Sequence, residues 1–268
     1  MTLDDFGWQS TWADRFAPYA QEGYTAGRVT LEQKHRYCVL TAECGEIPAV
    51  VTGRFSYEAR HRLDLPAVGD WAVLRLQVDS APRATIHAIL PRCSRFTRRD
   101  PGHGGAQIIA ANVDTAFLVV GLDGNYNLRR IERYLTVAWE SGADPVVLLT
   151  KADLCEDAAS RVQDAAGAAP GVPVHAISTF TGCGLDELQP YLLPGRTVAL
   201  LGSSGVGKST LLNRLLGREA QRTQAVRDFD DKGRHTTTQR QLFRLPGGAL
   251  LLDTPGLREL QLWHADDG

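Results

Sequence analysis

Residues 197–217 read TVALLGSSGVGKSTLLNRLLG, and this stretch decides the fold. Thr197 to Leu201 is an apolar run of strand length, and Leu211 to Gly217 has the spacing of a helix. Between them, Gly202, Gly207, Lys208 and Ser209 keep the pattern of a glycine, four residues, a glycine, a lysine and a hydroxyl residue. Strand, glycine loop and helix in that order let the backbone N–H groups of Gly202, Ser203, Ser204, Gly205, Val206, Gly207, Lys208, Ser209 and Thr210 curl around a nucleotide phosphate. Lys208 would reach the outer phosphates, and Ser209 would offer its hydroxyl to Mg2+. A glycine turn that merely precedes a helix is the alternative, and the flanking strand and helix argue against it.

Working back from the loop, the chain alternates strand and helix. Asn112 to Leu122 is a nearly continuous apolar run, as expected for a strand covered on both faces. Leu128, Ile131, Tyr134, Leu135 and Ala138 then share one helical face, with Gly142 as a stop. DPVVLLT (144–150), AASRVQDAAG (158–167), VPVHAIS (172–178) and GLDELQPYLL (184–193) continue as strand, helix, strand and helix. This predicts a mostly parallel sheet with helices on both faces. Beyond the loop helix, residues 217–238 are polar and charged, too hydrophilic for core. QRQLFRLP and ALLLDTPG follow, joined by Gly247 and Gly248, and predict a hairpin whose second strand ends at Asp253.

Upstream the grammar differs. Between Gly27 and Arg92, five β-prone runs (GRVTLEQ, HRYCVLTA, IPAVVTGRF, DWAVLRLQV and ATIHAIL) predict a small five-stranded OB-fold-like barrel over residues 23–92. Arg28, Arg36, Arg54, Arg60, Arg62, Arg75 and Arg83 are balanced by acids, so the barrel is at most weakly basic. Tyr24, Tyr37, Phe55, Tyr57 and Trp71 fit either a barrel core or a base-stacking face. Residues 1–22 are expected to be a packed appendage led by Trp12, Phe16 and Tyr19. Residues 93–110, with Arg95, Arg98 and Arg99, are expected to be a basic linker, and 111–262 an α/β domain followed by a short tail, 263–268.

Composition narrows the class. The 268 residues carry a formal net charge of -2, with 43% hydrophobic and 22% charged residues, an ordinary globular balance that leaves only local basic patches for nucleic acid. MTLDDFGWQS lacks a signal-like apolar core, and no run approaches a membrane span, so a cytoplasmic protein is expected. Cys38, Cys44, Cys93, Cys155 and Cys183 form no C-x-x-C pair, as expected of reduced thiols outside a zinc site.

The nucleotide is named by other motifs. Asp253 opens DTPG at a strand end, where a carboxylate can serve Mg2+ and the Gly256 N–H can meet a γ-phosphate. Thr150, Lys151, Ala152 and Asp153 follow an apolar strand and resemble the guanine-specifying NKxD element of GTPases. Asp153 can accept from the guanine N1 and N2 donors, a pattern adenine does not offer. This argues against an ATP-dependent kinase or ATPase. Ser178 and Thr179 end the next strand as the companion loop for the guanine O6. An asparagine usually holds the place of Thr150, and a threonine makes fewer bonds, so weaker nucleotide binding is expected. The guanine element and its companion precede the phosphate loop, GRHTTT (233–238) and DTPG, the reverse of the ordinary GTPase order. The expected fold is therefore an α/β, circularly permuted P-loop GTPase domain behind a small all-β barrel.

In GRV, GDW, IIAANVD, TKADL, GSSGVGKST, GRHTTT and DTPGLREL the chain closely resembles the small ribosomal subunit biogenesis GTPase family, RsgA or YjeQ. The resemblance covers most of residues 22–262. It implies GTP hydrolysis raised by the ribosome, late maturation of the small ribosomal subunit as the setting, and a barrel contacting ribosomal RNA. The expected partners are that subunit and GTP or GDP, without DNA or membrane, for a monomer. Lys208 and His235 are the candidate catalytic residues, and Ser209, Asp253 and one of Thr236, Thr237 and Thr238, with Thr237 preferred, the Mg2+ ligands. Many GTPases place a water-orienting glutamine where this chain has Leu257; an apolar side chain cannot hold water, which turns attention to the His235 imidazole. His235 could instead anchor the loop, and a GTP/GDP-switched RNA-binding module with negligible hydrolysis is the alternative function. Family members continue into a zinc domain; this sequence ends LWHADDG without a ligand cluster, and a truncated or degenerate member is the expectation.

Overall fold

The computed structural model describes residues 2–33, 36–99, 105–124, 126–217 and 240–253. His235, Thr236, Thr237, Thr238, Gly256 and Leu257 lie outside them. After helix α1 (Ser10–Gln21) come β1 (Thr25–Gln33), β2 (Arg36–Thr41), β3 (Gly45–Val51), a short α2 (Gly53–Glu58), β4 (Trp71–Gln77) and β5 (Arg83–Ile89). β3 lies parallel to β5, the other neighbours run antiparallel, and β4 returns to β1, which closes the five strands into a barrel. Bulges between Val29 and Leu31 and between Val73 and Leu74 mark breaks in the ladder where such strands coil.

Inside the barrel sit Val29, Tyr37, Val39, Ile47, Leu74 and Ile86. Trp71 is also buried, but it points to the N-terminal appendage, edge-on to Trp8 with ring centroids 4.7 Å apart. Of the barrel aromatics, Tyr37 and Trp71 are therefore core, while Tyr57 is 91% exposed. The appendage is a plug: Trp12 and Phe16 of α1 are buried in the same cluster as Trp71.

Residues 93–110, expected as a linker, hold β6 (Arg95–Arg99) and β7 (Ala106–Ala111), an antiparallel pair forming its own two-stranded sheet. It is buried on both faces: Phe96 and Ile109 join the large core with Trp71 and Ile131, and Ile108 packs with Ala67 on the other side. The arginines hide this alternation in the sequence.

The remaining elements are β8 (Thr115–Gly121), α3 (Leu128–Ser141), β9 (Asp144–Thr150), α4 (Ala158–Ala168), β10 (Val174–Ala176), β11 (Thr197–Leu201), α5 (Lys208–Leu216), β12 (Arg240–Arg244) and β13 (Leu250–Asp253). β10, β9, β8, β11 and β13 lie side by side and parallel, with β12 antiparallel at the edge. Every residue of β8 is buried, and its side chains alternate between two layers. Phe117 and Val119 join Val198, Leu200, Leu211 and Leu212, whereas Leu118 and Val120 join Ile131 and Leu135. Each such side chain contributes about 1.5–3 kcal/mol of burial. Leu185–Tyr191, read as a helix, is a 3₁₀ helix holding Pro190, which lacks the N–H an α-helical turn would use. β12 also pairs with β1, so barrel and α/β sheet form one eleven-stranded sheet. No helix among the described residues is long and apolar enough to cross a membrane.

Candidate nucleotide site

Parallel α/β sheets gather ligands at the carboxyl ends of their strands, and here those ends carry the motifs. β11 ends at Leu201 and the glycine loop begins at Gly202. A Cβ on Gly202 would stand 2.4 Å from the Val119 carbonyl oxygen, so only glycine lets the loop leave the sheet this close to β8. Gly207 caps α5 with φ 97°, a left-handed conformation that glycine adopts without strain. Lys208 opens α5, is 6% exposed, and points its ammonium back under the loop, donating to the Gly202 carbonyl at 2.6 Å and to the Ser203 carbonyl. Ser209 and Thr210 follow in the first helical turn, whose unpaired N–H groups and dipole favour an anion.

The guanine element stands beside this loop. Thr150, 1% exposed at the end of β9, donates its hydroxyl to the Val206 carbonyl at 2.6 Å, with the Val120 carbonyl 3.3 Å away. The smaller residue thus makes the tie to the phosphate loop that an asparagine would make. Lys151 is left-handed at φ 61°, and its ammonium meets Asp123 Oδ2 at 2.5 Å. Asp153 is exposed, and its Oδ1 accepts the Ser178 hydroxyl at 2.5 Å. Ser178 is buried and also receives the Thr181 N–H at 3.1 Å, and Ala152 N–H reaches the Ile177 carbonyl at 3.1 Å. Thr179 follows in the chain and is half-buried. Thr150, Lys151, Ala152, Asp153, Ser178 and the loop 202–210 therefore form one bonded assembly.

Asp253 ends β13, the neighbour of β11, and is 6% exposed. The Asp253 carboxylate, at the end of the strand paired with β11, and the Ser209 hydroxyl, in the first turn of the helix after β11, are hard-oxygen donors of the kind Mg2+ takes. Among the described residues no three His, Cys, Asp or Glu side chains gather into a cluster. The metal expectation there rests on Ser209 and Asp253.

Three contributors escape a motif reading. Asp123, just after β8, fixes Lys151. Arg130 and Tyr134 of α3 both hold Ser203: Arg130 Nη1 donates to its hydroxyl at 3.3 Å, and Tyr134 hydrogen-bonds it. Burial pushes the Tyr134 phenol up, opposed by Arg130, Arg133 and the Ser203 bond. The helical face containing Tyr134 was legible as core; its polar tip was not.

A glycine phosphate loop between β8 and β13, with its guanine element and companion loop earlier in the chain, defines a circularly permuted P-loop GTPase. The sequence pattern of the RsgA GTPase family matches residues 89–263, so the β6–β7 hairpin lies within the matched segment. The small ribosomal subunit biogenesis GTPase RsgA of Opitutus terrae is 52% identical over 275 residues, covering 100% of this chain and 75% of that relative. RsgA 2 of Lactiplantibacillus plantarum, with the same descriptive name, is 50% identical over 246 residues, covering 92% of this chain and 69% of the relative. The crystal structure of YjeQ from Thermotoga maritima superposes with a TM-score of 0.67 at 26% identity, covering 89% and 77% of the two chains. The chain belongs to the RsgA GTPase family and is a GTP hydrolase.

Proposed function

We propose that this GTPase acts in late maturation of the small ribosomal subunit, binding its RNA and hydrolysing GTP to GDP and phosphate while docked there. The observation that carries this reading is identity of 52% along the whole chain to a relative named for small ribosomal subunit biogenesis. Asp153 reads the guanine N1 and N2 donors, its carboxylate aimed by Ser178. The stem of Lys151, held by Asp123, lies along the base, and the companion-loop backbone at Ser178 and Thr179 meets O6.

The N–H groups of 202–210 and the ammonium of Lys208 hold the outer phosphates, the lysine exchanging the Gly202 and Ser203 carbonyls for phosphate oxygens. Mg2+, when bound by Ser209, Asp253 and a threonine of 236–238, supplies further charge neutralisation at those oxygens. His235, outside the described residues, orients the attacking water, since Leu257 cannot, and the Gly256 N–H meets the γ-phosphate. Hydrolysis is slow alone and rises when the subunit aligns the water. In this reading the protein works in the cytoplasm, as a monomer.

The test is single-turnover hydrolysis, together with cosedimentation, with and without small ribosomal subunits. Nucleotide-dependent cosedimentation and a faster rate are expected; neither mature nor immature subunits changing the rate or retaining the protein would sink the ribosomal assignment. His235→Ala at saturating GTP should lose turnover while keeping GDP affinity, and an unchanged rate refutes its catalytic role.

A further inference from the structure

An open groove of about 500 Å3 runs between residues 89–95, where the chain leaves the barrel, and the last turn of α3. Trp139 lines its α3 wall and is 55% exposed, while Ile131, Leu135 and Ala138 of the same helix are buried. An indole left this open forgoes the burial that tryptophan usually finds.

The opposite wall is rigid. Arg92 grips Asp70 with two hydrogen bonds of 2.8 and 2.7 Å and also donates to the Leu63 and Leu65 carbonyls. The Ser94 hydroxyl exchanges 2.7 Å hydrogen bonds with both the carbonyl and the N–H of Val113. The groove is therefore shaped before anything enters it, which lowers the ordering cost of binding.

Its charge is local and positive. Arg95 is exposed on the rim and makes no side-chain hydrogen bond or ion pair among the described residues. Arg15 lies at the same wall, donating to the Pro91 carbonyl at 2.8 Å and approaching Cys93 Sγ at 3.4 Å, with no carboxylate partner among the described residues. Arg92 is already neutralised by Asp70. Against these two cations the groove presents one carboxylate, Glu140.

We propose that this groove docks one unpaired nucleotide of an RNA strand, its base stacked on Trp139 and its phosphate on Arg95, with Arg15 behind. Glu140 accepts from base N–H groups. A single strand suits the groove because an unpaired base can leave its neighbours and offer a π face, which duplex stacking hides. This inference rests on the RNA-contact reading above and names a place for that contact on the α/β side of the barrel, where no nucleotide-binding motif lies.

The experiment titrates the full chain with a fluorescently labelled nonamer of uridine or adenosine and reads anisotropy at several salt concentrations. Trp139→Ala should weaken binding about tenfold, whereas Trp139→Phe keeps most of it. Arg95→Gln should weaken it less and lower the slope of log affinity against log salt by about 0.7. A nine-base-pair RNA duplex should not sense Trp139, and basal GTP hydrolysis should be unchanged in each variant. Undiminished nonamer binding by Trp139→Ala overturns the proposal. So does a photoreactive side chain at 139 that captures a ribosomal protein instead of RNA on small subunits. If nonamer binding depends on Trp139 while subunits neither cosediment nor stimulate hydrolysis, the groove stands and the ribosomal reading falls.

Discussion

Thr150 shows how much one side chain can carry. Its hydroxyl is the direct side-chain tie between the loop 150–153 and the Val206 carbonyl, so the bond it makes sets the spacing between that loop and the glycine loop. Thr150→Val keeps the shape and removes the donor, leaving a buried carbonyl unpaired at about 1–3 kcal/mol. GDP affinity should fall about tenfold, measured by titration with a fluorescent GDP, while the preference for guanine over adenine persists. Asp153→Asn tests the other half of the assignment. Its amide donates where the carboxylate accepted, so GTP binding should fall about a hundredfold and xanthosine triphosphate should gain. Equal loss of both nucleotides would contradict base reading by Asp153. That the loops at 150–153 and 202–210 would meet was legible, because phosphate and guanine chemistry fix residue type and spacing in such motifs. The bond Thr150 makes was not legible, since it depends on a carbonyl 56 residues away in sequence arriving within 2.6 Å.

Among the elements, β12 has the least obvious role. It pairs with β13 on one side, Gln241 opposite Asp253, and with barrel strand β1 on the other, Glu32 opposite Arg240. Arg240, 8% exposed, donates to Glu32 at 2.7 Å and to the Ile108 carbonyl of β7 at 3.3 Å. The strand next to the candidate metal carboxylate is thus pinned from the barrel and the hairpin. Glu32→Gln should cost about 1–3 kcal/mol of stability in urea unfolding, because it leaves the Arg240 charge mostly buried and poorly paired. Glu32→Arg combined with Arg240→Glu should recover part of it; no loss in the single variant would show the pair to be neutral. The individual strands could be read from alternation and apolar runs, and the β12–β13 hairpin from Gly247 and Gly248. The union of β1 with β12 could not, because pairing across 208 residues leaves no local signature. The β6–β7 hairpin was missed for a different reason: Arg95, Arg98 and Arg99 dominate a stretch in which Phe96 alone marks the buried face of β6.

At the scale of the molecule, Arg28 joins the parts. It rises from β1 and is 2% exposed, donating to the Phe6 carbonyl of the appendage and, at 3.3 Å, to the Gly69 carbonyl of the barrel. It also donates to the Asn112 carbonyl at 3.1 Å and the Thr197 hydroxyl at 2.8 Å, both on the α/β side, while its guanidinium stacks 5.2 Å from the Trp71 ring centre. Burial pushes this guanidinium down to about 10, with Asp114 and Asp70 opposing the shift. A buried cation is tolerated only where acceptors surround it, and removing it leaves those acceptors unpaired at the junction of all three parts. Arg28→Ala should therefore cost about 3–5 kcal/mol. The continuous sheet predicts one cooperative urea transition for the native chain, seen alike by tryptophan fluorescence and circular dichroism. In Arg28→Ala the two probes should separate: in a Trp139→Phe, Trp263→Phe background, fluorescence from the remaining Trp8, Trp12 and Trp71 at the junction should change at lower urea than the helical signal of α3 to α5. Arg28→Lys offers three donors without the planar fork and should fall between. Coincident transitions at the native midpoint in Arg28→Ala would mean that β1–β12 pairing alone unites barrel and GTPase domain.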